Sequence, residues 1–198
     1  MTILEFESSL LQDEAGISQA VESVLSSSPK QLLVLVAGMG KTEQRLLDAG
    51  EKSAGQDLIL ASTLAEGART LYMQVARQLT SQSVWSETQN LLSSLFEEVS
   101  SLLQGIYLMG EISSQGERIL RSYAEQASCV LVAQALKGQA VQAQLVYDRQ
   151  VYLTHSAHVS QSFQEKTIAD FQKEISVLSK GGTIPIIPFS LQSIARIE

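Results

Sequence analysis

The stretch Leu32-Leu33-Val34-Leu35-Val36-Ala37-Gly38-Met39-Gly40-Lys41-Thr42 decides the fold of this chain. Its first five residues are apolar without interruption, which is typical of a strand covered on both faces. Gly38 and Gly40 permit a tight turn, and the N–H groups at the start of a following helix favour anions. The stretch therefore predicts a buried strand, a turn and a helix. It is not a P-loop, because that motif requires a further glycine at the position of Leu35.

Composition and charge favour one domain, residues 1–198, that does not bind nucleic acid. The chain has 198 residues, of which 44% are hydrophobic, enough for one sizeable core. Its net charge of −7 disfavours a partner with a phosphate backbone. The longest apolar run, residues 32–38, is too short to span a membrane, and the N-terminus lacks the pattern of a signal peptide. The single cysteine, Cys129, excludes an internal disulfide and suggests a reducing, cytoplasmic setting. Because apolar residues follow it, we expect a core thiol rather than a catalytic one.

Hydrophobic spacing along the chain predicts alternating strands and helices. Strands are expected at Thr2–Phe6, Leu32–Val36, Ala140–Tyr147, Val151–Thr154 and Thr183–Phe189, and helices at Leu11–Leu25, Lys41–Gly50, Leu58–Leu79, Glu87–Met109, Gly116–Leu136 and Phe163–Leu178. The first strand, helix and second strand form a β-α-β unit, for which a right-handed crossover is the default. With no composition break, this order indicates one α/β domain with a helical insertion.

Three segments resemble motifs of aspartate kinase, a member of the amino-acid kinase family. Residues 36–49 are similar to the family's strand, Met-Gly-Lys-Thr turn and following Leu-Leu-Asp-Ala helix. Residues 102–112 resemble its Leu-Leu-x-Gly-Ile-x-Leu-Leu-Gly-Glu-Leu segment. Arg149 and Thr154 resemble an Asp-Ala-Arg-x-x-Ile-x-Thr-Asp stretch, although Tyr147 and His155 replace its two aspartates. The similarity runs in the same order from Met1 to about Phe189.

The resemblance implies a three-layer αβα fold, with a mainly parallel sheet between helices, as in the N-terminal lobe of the family. That lobe holds the amino acid, and a C-terminal lobe holds MgATP. The family transfers the γ-phosphoryl group to the side-chain carboxylate of aspartate. Since both reactants are anions, such catalysis depends on positive charge and on backbone N–H groups near the phosphates.

The first strand departs from the family's Lys-Phe-Gly-Gly-Thr-Ser pattern. Glu5 stands at the lysine position, Glu7 and Ser8 stand at the glycines, and Ser9 follows them. A unit charge about 4 Å from a phosphate charge contributes about 4 kcal/mol at an effective dielectric near 20, so this reversal disfavours phosphate binding. An alternative is that Glu5 points into solvent from a shifted strand.

The resemblance also supplies candidate ligand residues. The family's Gly-Glu-Arg-x-Ser motif, aligned by spacing, falls on residues 124–128, which keep Glu125 and Ser128 but have Ala124 at the glycine. Glu125, Ser128 and Arg149 are therefore candidates for substrate binding; a solvent-facing role for Glu125 is an alternative. Lys41 and Thr42 are candidates for phosphate binding at a helix start.

We expect no metal site. His155 and His158 have the spacing of two ligands on one helix face, but no further His or Cys lies near them in the sequence. The family's ATP lobe and regulatory domains have no counterpart before Glu198, so the sequence predicts a truncated homologue.

Three functions fit these observations. The first is a catalytically inactive aspartate-kinase-like protein without cofactor, which forms a homodimer or a heterodimer with a full-length aspartate kinase. The second is an active amino-acid kinase whose site for ATP and Mg²⁺ is rebuilt or supplied by a partner. The third is a module that binds an amino acid through Glu125 and Arg149 without chemistry.

Overall fold

The computed structural model describes residues 2–27, 31–148, 151 and 161–195, and for residues 161–164 only the backbone. Its strands are β1 (Thr2–Phe6), β2 (Leu32–Val36), β3 (Ala143–Leu145) and β4 (Ile184–Pro188). Its helices are α1 (Glu14–Ser26), α2 (Thr42–Ala54), α3 (Leu58–Leu79), α4 (Gln82–Met109), α5 (Ser114–Gly138), α6 (Gln161–Lys180) and the short α7 (Gln192–Ala195), which follows a 3₁₀ turn at Phe189–Leu191.

The four described strands form one parallel sheet in the order β1-β2-β4-β3. Strand β2 pairs with β1 on one side and with β4 on the other, so that Val34 lies beside both Leu4 and Ile186. This arrangement places the carboxyl ends of β1, β2 and β4 at one edge of the sheet, where α/β proteins bind their ligands.

The side chains of β2 alternate between two hydrophobic cores. Leu32, Val34 and Val36 pack with helices α1 to α5 on one face of the sheet. Leu33 and Leu35 pack with α6 and the C-terminal turn on the other face. Since successive strand residues point to opposite faces, an unbroken apolar run is what a strand between two helical layers requires. The predicted three-layer αβα fold is confirmed.

Helix α5 lies at the centre of the larger core. Every residue from Ser122 to Leu136 is buried, and the helix packs against α2, α3, α4 and the sheet. Its start is capped by Ser113, whose hydroxyl accepts the N–H of Gly116 at 3.0 Å. A helix buried all round presents no single apolar stripe, because each of its faces meets a neighbour.

Two predicted strands differ from the structure. The expected strand Ala140–Tyr147 is reduced to Ala143–Leu145, because Ala140 takes a left-handed conformation with φ of 61° directly after α5. Val151, expected in a strand, is helical and buried. The remainder of Val151–Thr154 lies outside the described residues. In the described part of the chain, no helix combines the length and apolar character needed to cross a bilayer.

Gly16 allows α1 to pack against the loop that precedes it. A Cβ at this position would lie 2.1 Å from the backbone oxygen of Leu10, which cannot move without shifting the loop. Gly105, by contrast, has no atom within 4 Å of the position of an added Cβ.

We therefore expect opposite effects of two glycine substitutions. Gly16→Ala should lower the free energy of unfolding by about 2 kcal/mol or more because of the backbone clash. Gly105→Ala, inside α4, should raise it by about 0.5–1 kcal/mol because alanine favours helix. Urea denaturation of both variants measures the difference, and equal effects would contradict the packing described for α1.

Candidate functional site

The candidate site is the loop of residues 37–41, which connects β2 to α2 at the carboxyl edge of the sheet. The N–H of Ala37 donates to the carbonyl of Phe6 at 2.9 Å and holds the loop beside the end of β1. Helix α5 closes the site from the other side, since a Cβ built on Gly38 would approach that of Ala124 at 3.2 Å. Backbone and helix start thus have the arrangement of an anion-binding loop.

The N–H groups of this loop donate to groups of the protein itself. Gly38 donates to Oε1 of Glu43 at 3.3 Å, and Met39 donates to the hydroxyl of Tyr72 at 3.3 Å. Gly40 donates to the carbonyl of Leu11 at 2.7 Å. The carboxylate of Glu43 also lies 3.9 Å from Nη1 of Arg121. An anion that binds here must therefore compete with an internal carboxylate.

Glycine is required at Gly40 by conformation and by space. Its φ of 55° lies in the left-handed region, and an added Cβ would lie 2.9 Å from the carbonyl oxygen of Gln12. Gly38 is constrained by its neighbour, because a Cβ there would lie 2.7 Å from Cγ of Glu43.

The buried hydroxyl of Tyr72 joins the loop to α5. It donates to the carbonyl of Ala124 at 2.7 Å and lies 2.9 Å from Oγ1 of Thr42 and 3.1 Å from Oγ of Ser128. Burial is the main cause that raises the pKa of Tyr72 to about 12, so the hydroxyl keeps its proton. Tyr72 was not predicted as a site residue. The sequence feature that could have indicated it is a polar hydroxyl among the apolar residues on the buried face of α3.

The two phosphate candidates lie in different environments. Thr42 is buried, and its hydroxyl donates to the carbonyl of Met39 at 2.6 Å. Contact between this hydroxyl and a phosphate would require the loop to open. Lys41 is exposed immediately before α2, in a place where its ammonium group is accessible to an anion.

The substrate candidate Glu125 is buried, so the alternative of a solvent-facing glutamate is wrong. Its carboxylate accepts the N–H of Ser190 at 3.1 and 3.3 Å and also accepts the Ser190 hydroxyl. Ser190 itself is exposed, in the turn after β4. Glu125 therefore contacts the carboxyl edge of the sheet, as a ligand-binding group would, through a serine that sequence reasoning did not identify.

The other predicted residues are distributed around this edge. Ser128 is buried, and its hydroxyl donates to the carbonyl of Ala124 at 3.1 Å. Glu5 is exposed on β1 and pairs in register with Leu35. Its side chain is therefore accessible to solvent, as in the alternative considered for this residue, but the strand itself is not shifted from its predicted bounds. Glu7, Ser8 and Ser9 are exposed in the turn after β1. Arg149 lies outside the described residues.

Metal ligands were not expected, and His155 and His158 lie outside the described residues. Within the described ranges, no three His, Cys, Asp or Glu side chains cluster as a metal site. For the whole chain, the absence of a metal site stays a prediction.

Cys129 lies fully buried on α5, with its Sγ 4.0 Å from the carbonyl oxygen of Val36. Burial, and secondarily the charge of Glu125, raises the pKa of this thiol well above its usual range. The thiol form is the unreactive form, since the thiolate is the nucleophile.

We expect Tyr72→Phe to reduce stability without changing the fold. The variant removes the hydroxyl that accepts from Met39 and donates to Ala124, which leaves buried polar groups unpaired at a cost of about 1–3 kcal/mol. Tyr107→Phe, on the half-buried Tyr107 of α4, is the matched control and should change stability by less than about 0.5 kcal/mol. Denaturant unfolding measures both variants, and equal stability of Tyr72→Phe and the native chain would contradict the role of this hydroxyl.

We expect Cys129 to resist thiol reagents in the folded protein at pH 8. Its raised pKa and burial leave almost no accessible thiolate, so labelling by a chromogenic disulfide should follow unfolding. The same reagent in concentrated urea should label one thiol per chain at once. Rapid labelling of the folded chain would show that α5 opens locally near Cys129.

Comparison with known proteins gives similarity to aspartokinases. No protein-family model matches the chain. It is 24% identical over 143 residues to aspartokinase 1, chloroplastic, from Arabidopsis thaliana, a match that covers 71% of this chain and 24% of that protein.

Solved structures of E. coli aspartokinase III have the same fold. The complex with aspartate and ADP (R-state) matches with a TM-score of 0.68 and 17% identity, and the complex with lysine and aspartate (T-state) with 0.67 and 17%. Each match covers 94% of this chain and 40% of that chain. The resemblance indicated by the sequence motifs is thereby confirmed: the chain is similar to aspartokinases and shares their fold over 94% of its length, while it spans less than half of the proteins it matches.

Proposed function

We propose that this chain does not transfer phosphate by itself and acts by associating with a second chain, either a copy of itself or a full-length aspartate kinase. The observation that carries the proposal is the occupied loop before α2. Its N–H groups at Gly38, Met39 and Gly40 donate to Glu43, Tyr72 and Leu11, so these three donors already have acceptors within the protein.

Charge at the neighbouring strand supports the same proposal. Glu5 and Glu7 lie on and after β1, next to the edge where the carboxyl ends of the strands meet. These two carboxylates repel the phosphates of ATP and thereby disfavour phosphoryl transfer between two anions.

Apolar surface supports association. Ile59 and Leu108 are 84% and 83% exposed, and Met109 is 64% exposed. Ile59 lies in the first turn of α3, and the other two lie in the last turn of α4. The side-chain amide of Gln56 donates to the carbonyl of Tyr107 at 2.7 Å and joins the two ends. Apolar side chains exposed together at one end of a helical hairpin are typical of a protein contact.

A second function rests on Glu125 and Lys41. An aspartate ammonium could replace Ser190 as the partner of the buried Glu125 carboxylate, and the exposed Lys41 could contact a phosphate of ATP brought by a partner chain. This alternative is an active amino-acid kinase with an ATP and Mg²⁺ site that is rebuilt or shared. Binding of an amino acid through Glu125 without catalysis is its simpler form.

Activity and association are tested together. We expect no ADP release above a blank when the purified chain is given MgATP and aspartate, with a full-length aspartate kinase as positive control. We expect sedimentation velocity to show a dimer of the chain, or a complex when the kinase is added. Leu108→Ser should weaken that association, and Val177→Ser, which changes an apolar residue on α6 that is 62% exposed, should not.

Two results would contradict the proposal. Aspartate-dependent ADP release that is lost in Lys41→Ala would establish the active kinase. The second result is a chain that stays monomeric and does not bind the added kinase, but whose melting temperature rises with aspartate. If Glu125→Gln abolished this rise, the chain would be an amino-acid-binding module.

A further inference from the structure

A cleft that is separate from the candidate site lies on the side of the domain formed by helices α4 and α5 and the edge strand β3. Its volume is about 450 Å³, within the range of small-molecule sites. One wall is apolar and consists of Leu91, Val130, Ala133 and Leu145. Neither Glu125 nor the loop before α2 lines it, so this cleft is independent of the proposed function.

Gln134 lines the cleft and carries a buried acceptor. The residue is only 6% exposed, and its Nε2 donates to Oε1 of Glu87 at 3.3 Å. This contact fixes the orientation of the amide, since the flipped amide would place two oxygens together. Oε1 of Gln134 then has no hydrogen-bond partner among the described residues. A buried acceptor without a donor is destabilising, and a ligand that brings an N–H group would compensate it.

An ion pair forms the mouth of the cleft. Nζ of Lys137 lies 2.5 Å from Oε2 of Glu87, and the two side chains are 45% and 49% exposed. The hydrogen bond from Lys137 lowers the pKa of Glu87, so the carboxylate stays charged at neutral pH. Exposed ion pairs contribute little to stability, so a ligand with two charges of its own can separate them at small cost.

These groups define the chemistry of the ligand. It must present a donor to Gln134 and Glu87, an anion to Lys137 and an apolar body to the wall. We propose that the cleft binds a small zwitterion with an apolar side chain, the chemistry of a free aliphatic amino acid, whose ammonium group contacts Gln134 and Glu87 while its carboxylate contacts Lys137.

The test is a titration of the ¹⁵N-labelled full chain with L-leucine up to tens of millimolar, followed by NMR. We expect saturable shifts of the Gln134 side-chain amide and of the backbone amides of Lys137 and Thr183, which also lines the cleft. Isovalerate lacks the ammonium group and isoamylamine lacks the carboxylate. Each should bind at least about tenfold more weakly, as expected for the loss of a charged contact.

Two glutamines of α5 provide a matched pair of variants. Gln134→Leu removes the buried acceptor and should abolish leucine binding while leaving the melting temperature equal or higher. Gln126→Leu changes a residue of the same type, helix and 6% exposure whose amide already donates to Ser122 at 3.2 Å, so it should keep leucine binding. Lys137→Met is a second variant on an exposed position and should weaken binding about tenfold.

Several results would overturn the proposal. These are absence of saturable shifts with leucine, unchanged binding in Gln134→Leu, or equal binding of isovalerate. The last result would identify an apolar cavity without zwitterion recognition. A water held beside Gln134 that leucine does not displace would show that the acceptor is satisfied by solvent.

Discussion

The structure depends on the burial of strand β2 on both faces. Its five residues are at most 2% exposed and contribute to both hydrophobic cores, so the strand joins the helical block to the opposite layer. Each buried aliphatic side chain contributes about 1.5–3 kcal/mol to the free energy of folding, so the burial of this strand contributes more than a surface contact does. The candidate loop follows β2 directly, and its position is therefore set by a strand that is buried on both faces.

A tight glycine turn and an occupied ligand loop occur together at the end of that strand. The turn of Gly38 and Gly40 keeps the geometry of an anion-binding loop, with a left-handed backbone at Gly40. The N–H groups of Gly38 and Met39 donate to a carboxylate and to a phenol that keeps its proton. The loop thus resembles a ligand site that binds its own side chains, and this is the physical basis for the proposal that the chain does not transfer phosphate by itself.

The fold could be predicted from the sequence far better than the site. Unbroken apolar strands and long periodic helices depend on spacing, and Leu32–Val36 and Leu58–Leu79 have the predicted bounds. The strand expected at Ala140–Tyr147 is shorter in the structure, because Ala140 takes a left-handed conformation that hydrophobic spacing does not predict. Site contacts such as Tyr72 with Ser128 or Glu125 with Ser190 join residues 56 and 65 positions apart, which a single sequence does not reveal. Motif resemblance selected Glu125 as a candidate, but it did not indicate that this residue is buried or that it contacts Ser190.

The register of β2 has a consequence for how the chain acquires its structure. Val34 pairs with Ile186, so one side of the central strand acquires its neighbour only after the long segment between the two strands has been synthesised. Contacts between such distant residues slow folding, because a long loop must close before the contact stabilises it. On the ribosome, β1, β2 and the helices α1 to α5 emerge first, and their apolar strand edge stays open until β4 arrives. Before β4 pairs, the face that Leu33 and Leu35 later bury stays exposed, and exposed apolar surface of this kind favours misassembly.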